Sequence, residues 1–169
     1  MYSNFLFIAT DDKELVFKSE DKYLGDIFVS RINSFLCDNN RSMSDVSTLV
    51  FQDRHISYTT ERLIGTYAKA MAMYSGITKK KLQMCSMSSL VPLVYCSKNT
   101  EGSVQISNMK GGAFVAAFDN RSIISIVEEP KYNANDEWLG INQARTMISI
   151  INDNDFITKN SSYINITST

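Results

Sequence analysis

The chain has 169 residues, 44% of them hydrophobic and 21% charged, with 17 basic against 18 acidic side chains and a formal charge of -1. That is enough apolar material for one ordinary domain or two small lobes with a real core. The even charge excludes a protein that grips nucleic acid through a broad basic face, and the single histidine excludes a histidine-rich metal centre.

In chain order, "FLFIAT" (5–10) and "ELVFKS" (14–19) are short apolar runs around the acidic turn Asp11-Asp12, and they predict two strands paired as a hairpin. In "YLGDIFVSRINSFL" the residues Leu24, Ile27, Phe28, Ile32, Phe35 and Leu36 recur at helical spacing, so an amphipathic helix should run to Asn39-Asn40. "DVSTLVF" (45–51) follows as a strand. In "SYTTERLIGTYAKAMAMYSGI", Ser57, Thr59 or Thr60 can cap a helix starting near Tyr58–Thr60, and Glu61 suits its positive end. Gly76 is its expected stop. Ile64, Tyr67 and Met71 face the core, while Gly65, Ala68 and Ala72 are small residues that allow another helix to come close.

"KLQMCS" (81–86) predicts a strand, and "SSLVPLVY" a short apolar segment interrupted by Pro92. "SVQISNM", "AFVAAF" and "SIISIVEE", separated by "KGG" and "DNR", predict a three-stranded meander. "NDEWLGINQARTMISII" (135–151) is a helix with Trp138, Ile141, Ala144, Ile148 and Ile151 on one side, and "TKNSSYINITST" reads as a polar, fraying tail. Two βα lobes, 1–99 and 100–169, follow from this order.

Chemistry is sparse. Cys37, Cys85 and Cys96 are odd in number and lack metal-ligand spacing, which predicts reduced thiols. His55 has no local nucleophile signature around it, and no phosphate-binding glycine loop occurs; "NMKGGAF" is a turn between strands. Asp11-Asp12 and Glu128-Glu129 could meet a hard cation but read as acidic turns. The Lys79-Lys80-Lys81 run reads as a solvated loop. No apolar run reaches membrane-spanning length, and a cytoplasmic protein is expected. These residues predict no catalytic group, no cofactor and no metal.

The stretch "SYTTERLIGTYAKAMAMYSGI" resembles the TsaB family signature S-F-T-G-L-R-I-G-V-A-T-A-K-G-L-A, with Ser57, Thr59, Arg62, Ala68, Lys69 and Ala72 matching without a gap. "SMSDVSTLVF", "SMSSL", "SNMKGGAFVAAFDN" and "EEPKYNANDEWL" resemble further family segments in the same order over residues 5 to 140. The resemblance implies an α/β fold of two βα lobes of the actin-like, ribonuclease-H-like (ASKHA) type. The first lobe, 1–99, would carry two interface helices, and the second, 100–169, would be a shortened β-meander plus helix. It also implies a non-catalytic subunit that pairs with a TsaD-like enzyme as a heterodimer, or with itself as a homodimer, in forming tRNA threonylcarbamoyladenosine (t6A), meeting tRNA only indirectly. The implied partner interface is Phe28, Ile32, Phe35, Tyr58, Arg62, Gly65, Lys69, Ala72 and Met73.

The chain departs from the family where Gln52-Asp53-Arg54-His55-Ile56 replaces a glycine loop and Ala9-Thr10-Asp11 replaces D-T-S. Both departures disfavour phosphate handling. The alternatives are an actin-fold nucleotide-binding enzyme with its own hydrolase or transferase activity, or a degenerate homodimer that lost its pathway partner.

Overall fold

The computed structural model describes residues 4–9, 14–19, 24–54, 58–108, 111–131 and 141–168. Asp11, Asp12, His55, Ser57 and Trp138 lie outside them.

The chain opens with β1 (Asn4–Ala9) and β2 (Glu14–Ser19), paired antiparallel as the hairpin the two apolar runs predict. Helix α1 (Leu24–Asp38) follows, and Asn40 ends its run in the left-handed region at φ 54°. A single turn at Met43–Asp45 leads into β3 (Thr48–Arg54), then α2 (Tyr58–Thr78) and β4 (Gln83–Ser88). β3 and β4 run parallel, as a strand–helix–strand crossover requires, and α2 packs on β3.

Short helix α3 (Val91–Cys96) comes next. Pro92 does not interrupt this segment: it sits in the first helical turn, where its missing N–H costs no hydrogen bond. The meander is β5 (Glu101–Ser107), β6 (Ala113–Asp119) and β7 (Ser122–Glu129), antiparallel in the order β5-β6-β7. Asn120 and Arg121 at φ 48° and 62° make the two-residue β6–β7 turn, whose left-handed pair matches the twist of the strands. Helices α4 (Ile141–Ile150) and α5 (Asn154–Lys159) and strand β8 (Ile164–Ser168) complete the order.

Two further expectations are corrected. Helix α2 passes through Gly76 and ends at Thr78, and the left-handed residue is Lys79 at φ 55°. The Thr78 hydroxyl donates to the Tyr74 carbonyl at 2.9 Å, engaging a carbonyl of the last turn. The polar tail, too, is ordered: β8 pairs antiparallel with β4 from Gln83–Ser168 to Met87–Ile164, giving the mixed sheet β3-β4-β8.

The main core draws on both sides of residue 99. Cys85, Met87, Leu90, Val91 and Val94 meet Ile106, Ala116, Phe118, Ile123, Met147, Ile150, Phe156 and Ile164. Met87, Leu90, Val91 and Val94 are fully buried, and each such side chain contributes about 1.5–3 kcal/mol. A smaller cluster sits under the helices, where Ile32 and Leu36 of α1 pack with Met43, Val46 and Tyr67.

Candidate functional site: the outer strip of helix α2

Helix α2 divides its residues by angle. Ala68, Met71 and Ser75 are buried, and Ile64 and Tyr67 are half-buried. The Tyr67 hydroxyl donates to Met43 Sδ at 3.9 Å, and burial pushes its pKa up to about 12. These residues hold the helix to β3 and α1.

The opposite strip leaves large apolar groups in water. Tyr58 and Met73 are each 70% exposed and Ile77 is 79% exposed, with Arg62, Thr66 and Lys69 between them. The series 58, 62, 66, 69, 73, 77 advances by three or four and therefore stays on one face of the helix. The Arg62 guanidinium lies 5.6 Å from the Tyr58 ring centroid, which pre-orders the N-terminal end of the strip. A Cβ built on Gly65 would meet nothing within 4 Å, so among the described residues no close contact demands glycine there. Beside the strip a half-open groove of about 160 Å³ is lined by Ala68, Lys69 and Ala72 of α2 and by Phe51, Met84, Ser86, Asn165 and Thr167 of the sheet.

The nine residues expected at an interface fall into three groups. Tyr58, Arg62, Lys69 and Met73 are exposed, and Gly65 and Ala72 are half-buried beside them. Ile32 and Phe35 are only 7% exposed; they serve this chain's own packing and have no surface to offer a partner, which corrects their assignment. The side chain of Phe28 lies outside the described residues. Sequence reasoning missed Ile77 because Gly76 was taken as the helix end, and it missed Val29, which is exposed on α1. The unbroken spacing from Met73 to Ile77 was the available signal.

A second polar cluster joins the carboxyl ends of the parallel strands. Ser86 Oγ donates to Asp53 Oδ2 at 2.7 Å, and Arg54 Nε donates to Asp53 Oδ1 at 3.3 Å. Arg54 Nη1 reaches the Ser162 carbonyl at 3.0 Å, while Ser89 donates from both its amide and its hydroxyl to the Arg54 carbonyl. Both Asp53 oxygens are thus engaged at the strand ends, and Arg54 ties them to the segment before β8. Burial, then the Asp53 charge, pushes the Cys85 thiol up to about 11, which makes it a poor nucleophile. Glu128 accepts from Asn108 Nδ2 at 2.7 Å, so this carboxylate of the Glu128-Glu129 pair is engaged in closing the meander. Among the described residues no group of three or more His, Cys, Asp or Glu side chains is placed to hold a metal ion, and no helix is long and apolar enough to cross a membrane.

The chain is similar to the solved structure of YeaZ from Pseudomonas aeruginosa, a TsaB-family protein, with a TM-score of 0.56 at 10% identity, covering 81% of this chain and 67% of that one. It is similar also to a structure described as an uncharacterized protein with similarity to peptidase YEAZ from Pseudomonas aeruginosa, with a TM-score of 0.55 at 11% identity, covering 82% of this chain and 69% of that one. No family model and no curated protein matches the chain. The likeness shows the fold: this chain shares the mixed α/β fold of YeaZ. The family that the sequence resembles is the one whose fold it shares.

Proposed function

We propose that this protein is a non-catalytic, cytoplasmic TsaB-like subunit that pairs with a TsaD-like enzyme in the formation of t6A on tRNA. In this reading the lobes are 1–99 and 100–169, with β8 returning to the first of them. The chain supplies a helical surface, and the enzyme supplies the reacting groups.

One observation carries the reading: on a fold shared with YeaZ, α2 turns Tyr58, Met73 and Ile77 into solvent along one face. Large apolar groups gathered on one strip mark an interaction surface more often than scattered ones do. Arg62 and Lys69 add the polar positions that fix orientation at an interface. The docking strip is Tyr58, Arg62, Gly65, Lys69, Ala72, Met73 and Ile77. The fold resemblance supplies the class of partner, and the engaged Asp53 and the raised Cys85 thiol support assigning no chemistry to this chain.

Co-expression with a TsaD-like enzyme from the same source tests the reading. The two chains should co-elute from a sizing column, and t6A formation by the enzyme should require this chain. Separate elution together with full activity of the enzyme alone would overturn it.

A further inference from the structure

Strand β8 has a sheet neighbour on one side only among the described residues, because the order is β3-β4-β8. Gln83 N donates to the Ser47 carbonyl on the β3 side of β4, and Ser88 N donates to the Tyr163 carbonyl on the β8 side. Backbone groups alternate along a strand, so Met84, Ser86 and Ser88 face β8, and their partners Thr167, Asn165 and Tyr163 face β4. Ile164, Ile166 and Ser168 therefore turn their N–H and C=O groups to the open edge. The Ile164 amide meets the Asn160 carbonyl there at 3.1 Å, so a new strand would pair from the Ile164 carbonyl onward.

Edges of sheets are ordinarily guarded by charge or proline. β3, the other edge of this sheet, ends in Asp53-Arg54, and β5 and β7 at the edges of the meander carry Glu101, Glu128 and Glu129. Ile164–Ser168 has neither a charge nor a proline. Its two faces differ. Ile164 and Ile166 pack in the main core with Cys85, whereas Asn165 and Thr167 are exposed and line the groove beside α2.

We propose that β8 pairs antiparallel with β8 of a second copy of this chain, about a two-fold axis at Ile166, joining the two sheets edge to edge. The strand is self-complementary in that register. Ile166 sits opposite Ile166 of the second copy, each amide donating to the other's carbonyl, and Ser168 N meets the Ile164 carbonyl across the axis. On the groove face Asn165 falls opposite Thr167 of the second copy, where amide and hydroxyl can hydrogen-bond. The apolar face stays apolar across the junction, and no like charges are opposed within the paired strands. A shift by one residue would set Ile166 against Asn165 and cross the two faces, so the alternation fixes the register. The inference does not rest on pairing with an enzyme, because the outer strip of α2 takes no part in the strand pair.

The test is sedimentation of the isolated full chain from about 5 to about 500 μM. A strand-edge contact is small, so the wild type should dimerise reversibly, with a Kd of about 10–100 μM. Asn165→Lys with Thr167→Lys sets like charges opposite each other, and Asn165→Lys with Thr167→Glu sets opposite ones. By symmetry each pair occurs twice, so the two variants should differ by at least about tenfold in Kd, the first weaker than wild type and the second not. Both positions are exposed, so both variants should melt as the wild type does. Gly65→Arg on α2 should leave the dimer unchanged. A wild type that stays monomeric at about 500 μM overturns the proposal. So does an equal Kd for the two charged variants, or loss of the dimer in Gly65→Arg, which would move self-association to α2.

Discussion

The backbone N–H of Ile123 donates to Asn160 Oδ1 at 2.9 Å, across 37 positions of sequence. The same side chain donates through Nδ2 to the Arg121 and Phe156 carbonyls, each at 3.0 Å, so one amide that is 1% exposed pins the β6–β7 turn to the end of α5. Asn160→Leu keeps the volume and removes all three hydrogen bonds. A buried donor left unsatisfied costs about 1–3 kcal/mol. The unfolding free energy should fall by that amount, read as a lower urea midpoint at an unchanged m-value; an unmoved midpoint would show that the amide is not what holds the turn.

Two glycines should respond oppositely to alanine. A Cβ at Gly112 would sit 2.2 Å from the Glu129 carbonyl oxygen, backbone that must move to admit it, whereas a Cβ at Gly65 meets open space inside a helix. Gly112→Ala should destabilise, and Gly65→Ala should stabilise by up to ~1 kcal/mol. Thermal melts of the two variants check this, and equal shifts would count against it.

Alkaline pH should weaken the fold in a defined window. The Cys85 thiol is raised from 9.0 to about 11 and the Tyr67 hydroxyl from 10.0 to about 12, so in each case the folded state holds its proton longer than the unfolded state does. Stability from these groups is fully present below the unfolded values and falls as pH rises from 9.0 toward about 12. In Cys85→Ala the early part of that loss should disappear from a pH series of denaturant midpoints.

Thiol labelling gives an independent check. Cys37 and Cys96 are exposed and Cys85 is fully buried, so iodoacetamide at mildly alkaline pH should alkylate the first two and spare the third until the chain unfolds. Rapid labelling of Cys85 in the native protein would contradict the described core.

Much of the fold was legible because its signals are local. The short apolar run in "ELVFKS" gives β2 at its observed bounds, the spacing from Leu24 to Leu36 gives α1, and "DNR" gives the tight turn whose left-handed pair is Asn120 and Arg121. What was missed depends on distant partners. The tail looked polar, yet Asn160 is satisfied by residues near Ile123, and "INITS" becomes a strand because β4 offers it an edge. Pro92 looked like an interruption because its place in a first turn shows only once the turn is seen. At the candidate site, helical spacing puts Arg62, Lys69 and Met73 on one side of α2, and the resemblance to the TsaB family marks that side as the expected interface. Ile32 and Phe35 were misassigned because periodicity marks an apolar face without saying whether this chain already covers it.

The most direct measurement of the central claim is pairing by Gly65→Arg. Gly65 lies beside the exposed strip, half-buried but with no atom within 4 Å of an added Cβ, so a folded monomer tolerates the long side chain and loses a poor helix former, worth up to ~1 kcal/mol. If α2 is the docking surface, the variant should melt at or above the wild-type temperature and fail to co-elute with the TsaD-like enzyme that the wild type binds. Pairing as tight as wild type, or a variant that no longer folds, would contradict the assignment of this strip as the surface through which the protein acts.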